Sequence, residues 1–137
     1  MERPKSLVSY FVTWLLSNMK FKFEELRIYQ EAIDFVSYIF GLTKKWQSPY
    51  KFSLGDQLQR AALSVPLNIA EGSGKTSKDF QHFLSIARGS CYECVAILTV
   101  AKKEHLVAEA EFLRVYDRIY IIAKTITALK SSISSTK

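Results

Sequence analysis

Apolar residues recur at intervals of three and four through most of the chain, which places them on one face of an α-helix. Four segments show this spacing, at residues 24–45, 54–71, 78–103 and 108–130. No stretch between residues 23 and 130 alternates with the period of two that a half-buried strand shows. Short connections join the segments. The pattern predicts an all-α fold, an up-and-down antiparallel four-helix bundle.

The first segment carries two apolar rows, whereas a core-facing helix needs one stripe of about 100°. The first row, interpreted as the core face, contains Leu26, Tyr29, Ile33, Val36 and Phe40. The second, interpreted as surplus, contains Ile28, Ala32, Phe35, Ile39 and Leu42. Residues 119–123 of the last segment are apolar on all sides. Surplus apolar surface predicts a homo-oligomer. The alternative is a monomer whose N-terminal extension covers the surplus.

The chain ends differ from this helical region. Residues 1–20 form an N-terminal extension whose apolar part, residues 7–16, is shorter than the roughly 20 residues that span a bilayer. Met19 offers a second start, which would make residues 1–18 an upstream extension. A cleaved signal peptide and a short amphipathic helix lying on the bundle are the alternatives. Residues 21–130 are predicted to be the bundle and residues 131–137 a frayed polar tail.

Charge and cysteine content narrow the class of protein. The 137 residues include 19 Lys and Arg against 13 Asp and Glu, a net charge of +6. A surplus of this sign indicates anionic partners, nucleic acid first, although a solvated mixed-charge surface explains a mild excess equally well. Cys91 and Cys94 are too few for a disulfide framework. We therefore expect a reduced, cytoplasmic protein with no membrane partner.

The sequence offers little for catalysis or for holding a cofactor. Cys91 and Cys94 have the spacing of a zinc half-site but lie on an apolar helical row, so packed thiols are expected. His82 and His105 have no partner at helical spacing and are expected at the surface. The chain is predicted to be no enzyme, with no catalytic residue, metal or cofactor.

Residues 72–76, Gly-Ser-Gly-Lys-Thr, resemble the end of a phosphate-binding loop. The motif needs an earlier glycine and a preceding strand, and both are missing here. A helix-to-helix turn is predicted instead, in which Gly72 and Gly74 end one helix through positive φ and Thr76 or Ser77 caps the next. A residual possibility is that Lys75, Lys78 and the amides of the new helix hold a nucleic-acid phosphate.

Two acids lie close to the apolar rows of the second and third segments. Glu71 and Glu93 are predicted to pair with Arg60 and Arg88, because a carboxylate at the edge of a core needs a partner. Acid-base catalysis by these carboxylates is the less favoured alternative.

Residues 57–72, with residues 83–90 and Glu93, resemble the bacterial four-helix-bundle family encoded in intervening sequences of large-subunit ribosomal RNA genes. Residues 68–72, Asn-Ile-Ala-Glu-Gly, are the most specific part, and residues 23–32 resemble the family's first helix. That family is related to the accessory variability determinant of diversity-generating retroelements. The basic residue that follows the turn is Lys75 here, which is a departure from the family pattern. The residues before Met19 lie outside the family pattern.

The resemblance implies a basic, ring-like homopentamer without catalytic residues. Its retroelement relatives bind nucleic acid and a reverse transcriptase. The motif positions carry over as structural or interface residues, namely Arg60, Asn68, Glu71, Gly72, Gly89, Ser90 and Glu93.

Antiparallel topology gathers lysines at one end of the predicted bundle. The candidates for nucleic-acid contact are Lys20, Lys22, Lys75, Lys78, Lys124 and Lys130. The first functional hypothesis is a non-enzymatic oligomer that binds RNA or DNA with low sequence specificity. The alternative is a protein-interaction adaptor for a reverse transcriptase or a ribosome-associated partner.

Overall fold

The computed structural model describes residues 3–135, and these form only helices and their connections. The five α-helices are α1 Leu7–Asn18, α2 Arg27–Thr43, α3 Leu54–Ser73, α4 Ser77–Lys103 and α5 Glu109–Ser135. Two 3-10 helices, Lys22–Glu25 and Tyr50–Phe52, lie in the connections before and after α2. The all-α prediction is confirmed. The fifth α-helix is α1, which lies in the N-terminal extension.

Helices α2 to α5 pack through neighbouring pairs around one apolar core, with α5 also contacting α2. Helices α3 and α4 are antiparallel. Ser64 contacts Ser90, whereas Gly72, later on α3, contacts Phe83, which is earlier on α4. The same antiparallel register joins α4 to α5 through Gln81 and Ser134. Fully buried residues come from all four helices, including Phe35, Leu58, Leu84 and Ile126.

Helix α2 buries the row that was interpreted as surplus. Its core residues are Ile28, Ala32, Phe35, Val36, Ile39 and Leu42. From the row that was interpreted as the core face, Ile33 is 38% exposed and Phe40 is 42% exposed. That interpretation was wrong because both rows have helical spacing, and only the positions of α3 and α5 decide which one faces inward.

Helix bounds differ from the predicted ones at the start of α2 and at the end of α5. Glu24 and Glu25 lie in a 3-10 helix rather than in the first turn of α2. Helix α5 continues through residues 131–135, which were predicted to fray, and the Ser134 hydroxyl donates to Gln81 Oε1 at 2.8 Å. The remaining predicted tail residues, 136 and 137, lie outside the described residues.

The turn between α3 and α4 corrects the glycine prediction. Gly72 lies inside the last turn of α3 and is buried, and Gly74 has a φ of −89°. No glycine among residues 3–135 has positive φ, so neither residue ends α3 in the predicted way. Thr76 caps α4 as predicted, because its hydroxyl accepts from the Asp79 amide at 3.2 Å.

Two helices are notable for apolar composition. Helix α4 is long and apolar enough to cross a membrane by length and composition. Its buried face packs against α3 and α5, as the core helix of a helical protein does. Helix α1 has no charged residue and no buried residue, and Leu7, Phe11 and Trp14 are all at least 60% exposed. It therefore contributes nothing to the core, which contradicts the alternative of a helix lying on the bundle.

Candidate nucleic-acid interface

Four of the six candidate lysines lie near the end of the molecule that contains the α3–α4 turn. Lys75 lies in the turn itself and Lys78 in the first turn of α4. Lys130 lies in the last turns of α5, which the bond between Ser134 and Gln81 places beside the start of α4. Lys22 lies in the 3-10 helix that contacts α3. The lysine end is the name used below for Lys22, Lys75, Lys78 and Lys130.

The other two candidates lie outside this group. Lys124 is nearly two turns before Lys130 on α5. Lys20 lies in the connection between α1 and the first 3-10 helix. Both side chains are exposed.

The candidate lysines form no ion pair within residues 3–135. The ion pairs of the described residues join Arg27 to Glu31, Lys102 to Glu109 and Arg114 to Glu111. None of them includes a candidate lysine. Lys75 instead has its Nζ 5.6 Å from the centre of the Phe83 ring. Positive charge at the lysine end is therefore available to an external anion.

Two cations at the opposite end are in ion pairs within the chain. Lys102 Nζ lies 2.6 Å from Glu109 Oε2, and Arg114 Nη2 lies 2.6 Å from Glu111 Oε2. Hydrogen bonds from Arg114 and then Tyr38 lower the pKa of Glu111. Four other lysines at that end, Lys44, Lys45, Lys51 and Lys103, take part in none of the ion pairs of residues 3–135, so both ends of the bundle carry unpaired lysines.

The start of α4 does not offer a free helix terminus to a phosphate. The Thr76 hydroxyl already accepts from the Asp79 amide, and the Asp79 carboxylate lies in the same first turn. An acidic side chain at this position interacts favourably with the helix dipole and repels an incoming anion. The lysine side chains, rather than the amides, are the groups that suit a nucleic-acid backbone here.

Most of the motif residues lie on the outward side of α3 and α4, and two of them are buried. Arg60, Glu71, Gly89 and Glu93 are exposed there. Gly72 is buried against α4, and Ser90 is buried at the edge of this face. The motif face is the name used below for Arg60, Ser64, Asn68, Glu71, Gly89, Ser90 and Glu93.

Ser64 links the polar residues of the motif face, and the sequence did not single it out. Asn68 Nδ2 donates to the Ser64 carbonyl at 2.7 Å and to Ser64 Oγ at 2.9 Å. Ser90 Oγ lies 2.8 Å from Ser64 Oγ, which ties α4 to α3. Only the register of the two helices reveals this contact, since residues 64 and 90 are remote in sequence.

The predicted ion pairs on this face do not form. Glu71 and Glu93 are exposed and make no ion pair with Arg60 or Arg88 among residues 3–135. Arg88 Nη1 donates to Thr127 Oγ1 at 3.3 Å instead. The prediction was wrong because both carboxylates point into solvent, where a charge needs no partner. Three unpaired charges therefore lie on one face.

Cys91 and Cys94 are packed thiols, as predicted. Both are buried in the core, and burial raises the pKa of Cys91 to about 12 and that of Cys94 well above its ordinary value. Residues 3–135 contain no group of three His, Cys, Asp or Glu side chains placed to hold a metal ion. His82 and His105 are exposed, as predicted.

A groove between α4 and α5 was not predicted. It has a volume of about 200 Å³ and is lined by Tyr92, Val95, Tyr116, Ile119, Tyr120 and Ala123. The available signal was the spacing of Tyr116 and Tyr120, four residues apart on one helix. Tyr92 joins them only through the packing of α4 on α5.

The packed helices are similar to a fold seen in solved structures. One of these is the crystal structure of a protein of unknown function from the S23 ribosomal protein family of Bacteroides thetaiotaomicron. The two chains are 20% identical with a TM-score of 0.70, and the match covers 75% of this chain and 97% of the other. At this identity the likeness shows the fold alone. No curated protein matches the chain.

A family model matches the sequence over the region that forms helices α2 to α5. The match spans residues 24–128, which is about three quarters of the chain, and it leaves out α1. The chain belongs to the 23S rRNA-intervening sequence protein family.

Proposed function

We propose that this chain is a non-enzymatic, homo-oligomeric four-helix bundle that binds RNA or DNA with low sequence specificity. The observation that supports the proposal best is the lysine end, where four lysines lie near one end of the bundle and take part in none of the ion pairs of residues 3–135. Lysine is a flexible point charge that suits phosphates in many geometries, which favours binding through the backbone rather than the bases.

The motif face supports the oligomeric part of the proposal. Arg60, Glu71 and Glu93 are unpaired within residues 3–135, and Leu67 and Ile86 beside them are 57% and 39% exposed. Apolar side chains ringed by unpaired charges of both signs are typical of a surface that meets another protein. A homopentamer, which the family resemblance implies, would place five lysine ends near one another. Avidity then compensates for weak contacts by each copy.

A charge-reversal variant tests the nucleic-acid interface. Lys75, Lys78, Lys124 and Lys130 are replaced together by Glu, and binding to structured RNA and duplex DNA is measured over a salt series. Wild-type affinity should fall steeply with salt, because each phosphate contact releases counterions. The variant should lose binding at all salt concentrations while its circular dichroism stays helical.

The matched control reverses four exposed lysines away from the lysine end, Lys44, Lys45, Lys51 and Lys103. It has the same net charge as the first variant, so it separates local from overall charge. The control should bind more tightly than the first variant. Equal binding by the two variants would contradict the placement of the interface.

A second candidate function is a protein adaptor, with a reverse transcriptase or a ribosome-associated protein as the partner. Helix α1 favours it, because an uncharged helix with no buried residue presents apolar surface that the bundle does not use. An adaptor predicts capture of a protein that is insensitive to salt and is lost when residues 1–18 are removed. Negligible affinity for free nucleic acid would favour the adaptor over the first proposal.

A further inference from the structure

The groove between α4 and α5, called the tyrosine groove below, has three exposed aromatic rings. Tyr92 is 60% exposed, Tyr120 is 53% exposed and Tyr116 is 40% exposed. Val95, Ile119 and Ala123 form the remaining lining, so no charged side chain enters the groove. Three accessible ring faces around an apolar floor are more than packing of this chain requires, since the rings remain largely in solvent.

Two cations lie at the border of the tyrosine groove. Lys124 Nζ is 5.5 Å from the centre of the Tyr120 ring. Arg88 lies one helical turn before Tyr92 on α4, and its Nη1 donates to Thr127 Oγ1, one turn after Ala123 on α5. Neither cation is in an ion pair within residues 3–135. Both lie on the side of the groove that faces the lysine end.

We infer that the tyrosine groove binds unpaired bases of a single-stranded nucleic-acid segment whose backbone continues toward the lysine end. The inference rests on the proposed nucleic-acid function and adds the class of strand that the protein prefers. Bases of any sequence stack on aromatic side chains, and cations beside the rings hold the phosphates between them. A duplex hides its base faces, so the groove offers it nothing comparable.

Charge complementarity favours this occupant over a protein segment. The cations Arg88 and Lys124 continue the groove toward Lys130 and Lys78, so a polyanion leaving the groove meets positive charge along α4 and α5. A helix of a second copy would fill an apolar groove equally well but would gain nothing from these cations. Light scattering of the variants described below distinguishes a second copy as the occupant, because a variant that no longer binds the second copy would have a lower oligomeric mass.

The test compares two triple variants of Tyr92, Tyr116 and Tyr120. Replacement of all three by Ala removes the ring faces, whereas replacement by Phe keeps the faces and removes the hydroxyls. A labelled 12-nucleotide oligo-dU and a blunt duplex of the same length serve as probes, with fluorescence anisotropy measured at one fixed salt concentration. The Phe52→Ala variant is the control, since it removes an aromatic ring that is 68% exposed outside the groove.

We expect the Ala variant to lose roughly tenfold or more in affinity for the single strand and to keep its affinity for the duplex. The Phe variant and Phe52→Ala should behave as wild type with both probes. If the triple Ala variant is not helical by circular dichroism, Tyr120→Ala alone is used, with a smaller loss expected for the single strand.

Three results would overturn the inference: unchanged single-strand affinity in the Ala variant, an equal loss for both probes, or a reduced oligomeric mass. The last result would assign the groove to a contact between copies. None of these results affects the proposed function as long as wild type binds nucleic acid. A wild-type protein that binds neither probe would overturn the proposed function as well.

Discussion

A Cβ atom added to Gly72 would lie 2.6 Å from Cβ of Phe83, far closer than two carbon atoms pack. The missing side chain of Gly72 therefore allows α3 to approach α4 just before the turn that joins them. In this chain the close approach of α4 requires a glycine at position 72, whereas the turn conformation does not.

Replacing Gly72 with Ala should lower the free energy of unfolding by about 1–3 kcal/mol, the usual cost of overpacking a filled site. This loss of stability at the buried Gly72 site outweighs the gain in helix propensity that Ala has over Gly. Urea denaturation followed by circular dichroism measures the change. Gly74→Ala is the control, because nothing lies within 4 Å of an added Cβ there. Equal stability of Gly72→Ala and wild type would contradict the prediction, because it would mean that α3 and α4 move apart to admit the methyl group without cost.

His105 ends α4 in a left-handed conformation, with a φ of 61°. The His105 amide donates to the Lys102 carbonyl at 3.0 Å, and the Leu106 amide donates to the Ala101 carbonyl at 2.9 Å. These two bonds form a Schellman motif, in which glycine is the preferred residue at the position of His105. The sequence predicted only a surface histidine.

His105→Gly should therefore raise the free energy of unfolding by about 1 kcal/mol, since a side chain in the left-handed region is strained. Thermal denaturation of wild type and variant measures the gain. Lys103→Gly is the matched control two residues earlier, where the backbone is helical and Gly should cost about 1 kcal/mol. A lower stability of His105→Gly would indicate that the imidazole itself makes a stabilising contact.

The sequence predicted which segments are helical, because a period of 3.6 is visible without tertiary structure. It predicted the wrong row of α2 to face inward, since Ile33 and Phe35 belong to rows that satisfy the same spacing. The choice depends on where α3 and α5 lie. A residue's spacing indicates the existence of a face, whereas its neighbours in space determine burial.

The candidate site shows the same division. The gathering of lysines at one end was predictable from charge and chain order, since antiparallel helices bring Lys78 and Lys130 together there. Contacts between helices were not predictable, because they depend on register. Ser64 with Ser90 and Tyr92 with Tyr120 each join residues more than 25 positions apart. Glu93 shows the opposite error: the sequence predicted an ion pair with an arginine, but the Glu93 carboxylate is exposed and needs no partner.

Cys91 and Cys94 should make the protein less stable at alkaline pH. Burial raises the pKa of Cys91 to about 12 and also raises that of Cys94, whereas thiols of the unfolded chain ionise near pH 8.5. Above that pH the unfolded state loses protons that the folded state keeps, so the free energy of unfolding falls. The decline begins near pH 8.5 and, for Cys91, continues to about pH 12.

The measurement compares urea denaturation at pH 7.5 and pH 10 for wild type and for a variant with both residues replaced by Ala. The variant should be less stable at pH 7.5, because it loses buried sulfur atoms. Its stability should fall less between the two pH values, by up to about 1.4 kcal/mol per pH unit for each thiol removed. Equal declines in the two proteins would mean that thiolates form without unfolding.

Gly89 lies in the middle of α4, is exposed, and has no heavy atom within 4 Å of the position of an added Cβ. Nothing within residues 3–135 therefore requires a glycine there, although Gly costs about 1 kcal/mol relative to Ala inside a helix. A second copy packed closely on the motif face would account for it. The proposed oligomer thus predicts opposite effects of Gly89→Ala on the single chain and on the assembly.

In Gly89→Ala the added methyl group should stabilise α4 in the dissociated chain and weaken association between copies. Light scattering over a dilution series should show a smaller mass than wild type at the same concentration, while the helical signal is unchanged. Gly41→Ala is the matched control, because it also adds a methyl group where nothing lies within 4 Å, but on α2 and outside the motif face. A mass that falls equally in both variants, or in neither, would place the contact between copies elsewhere.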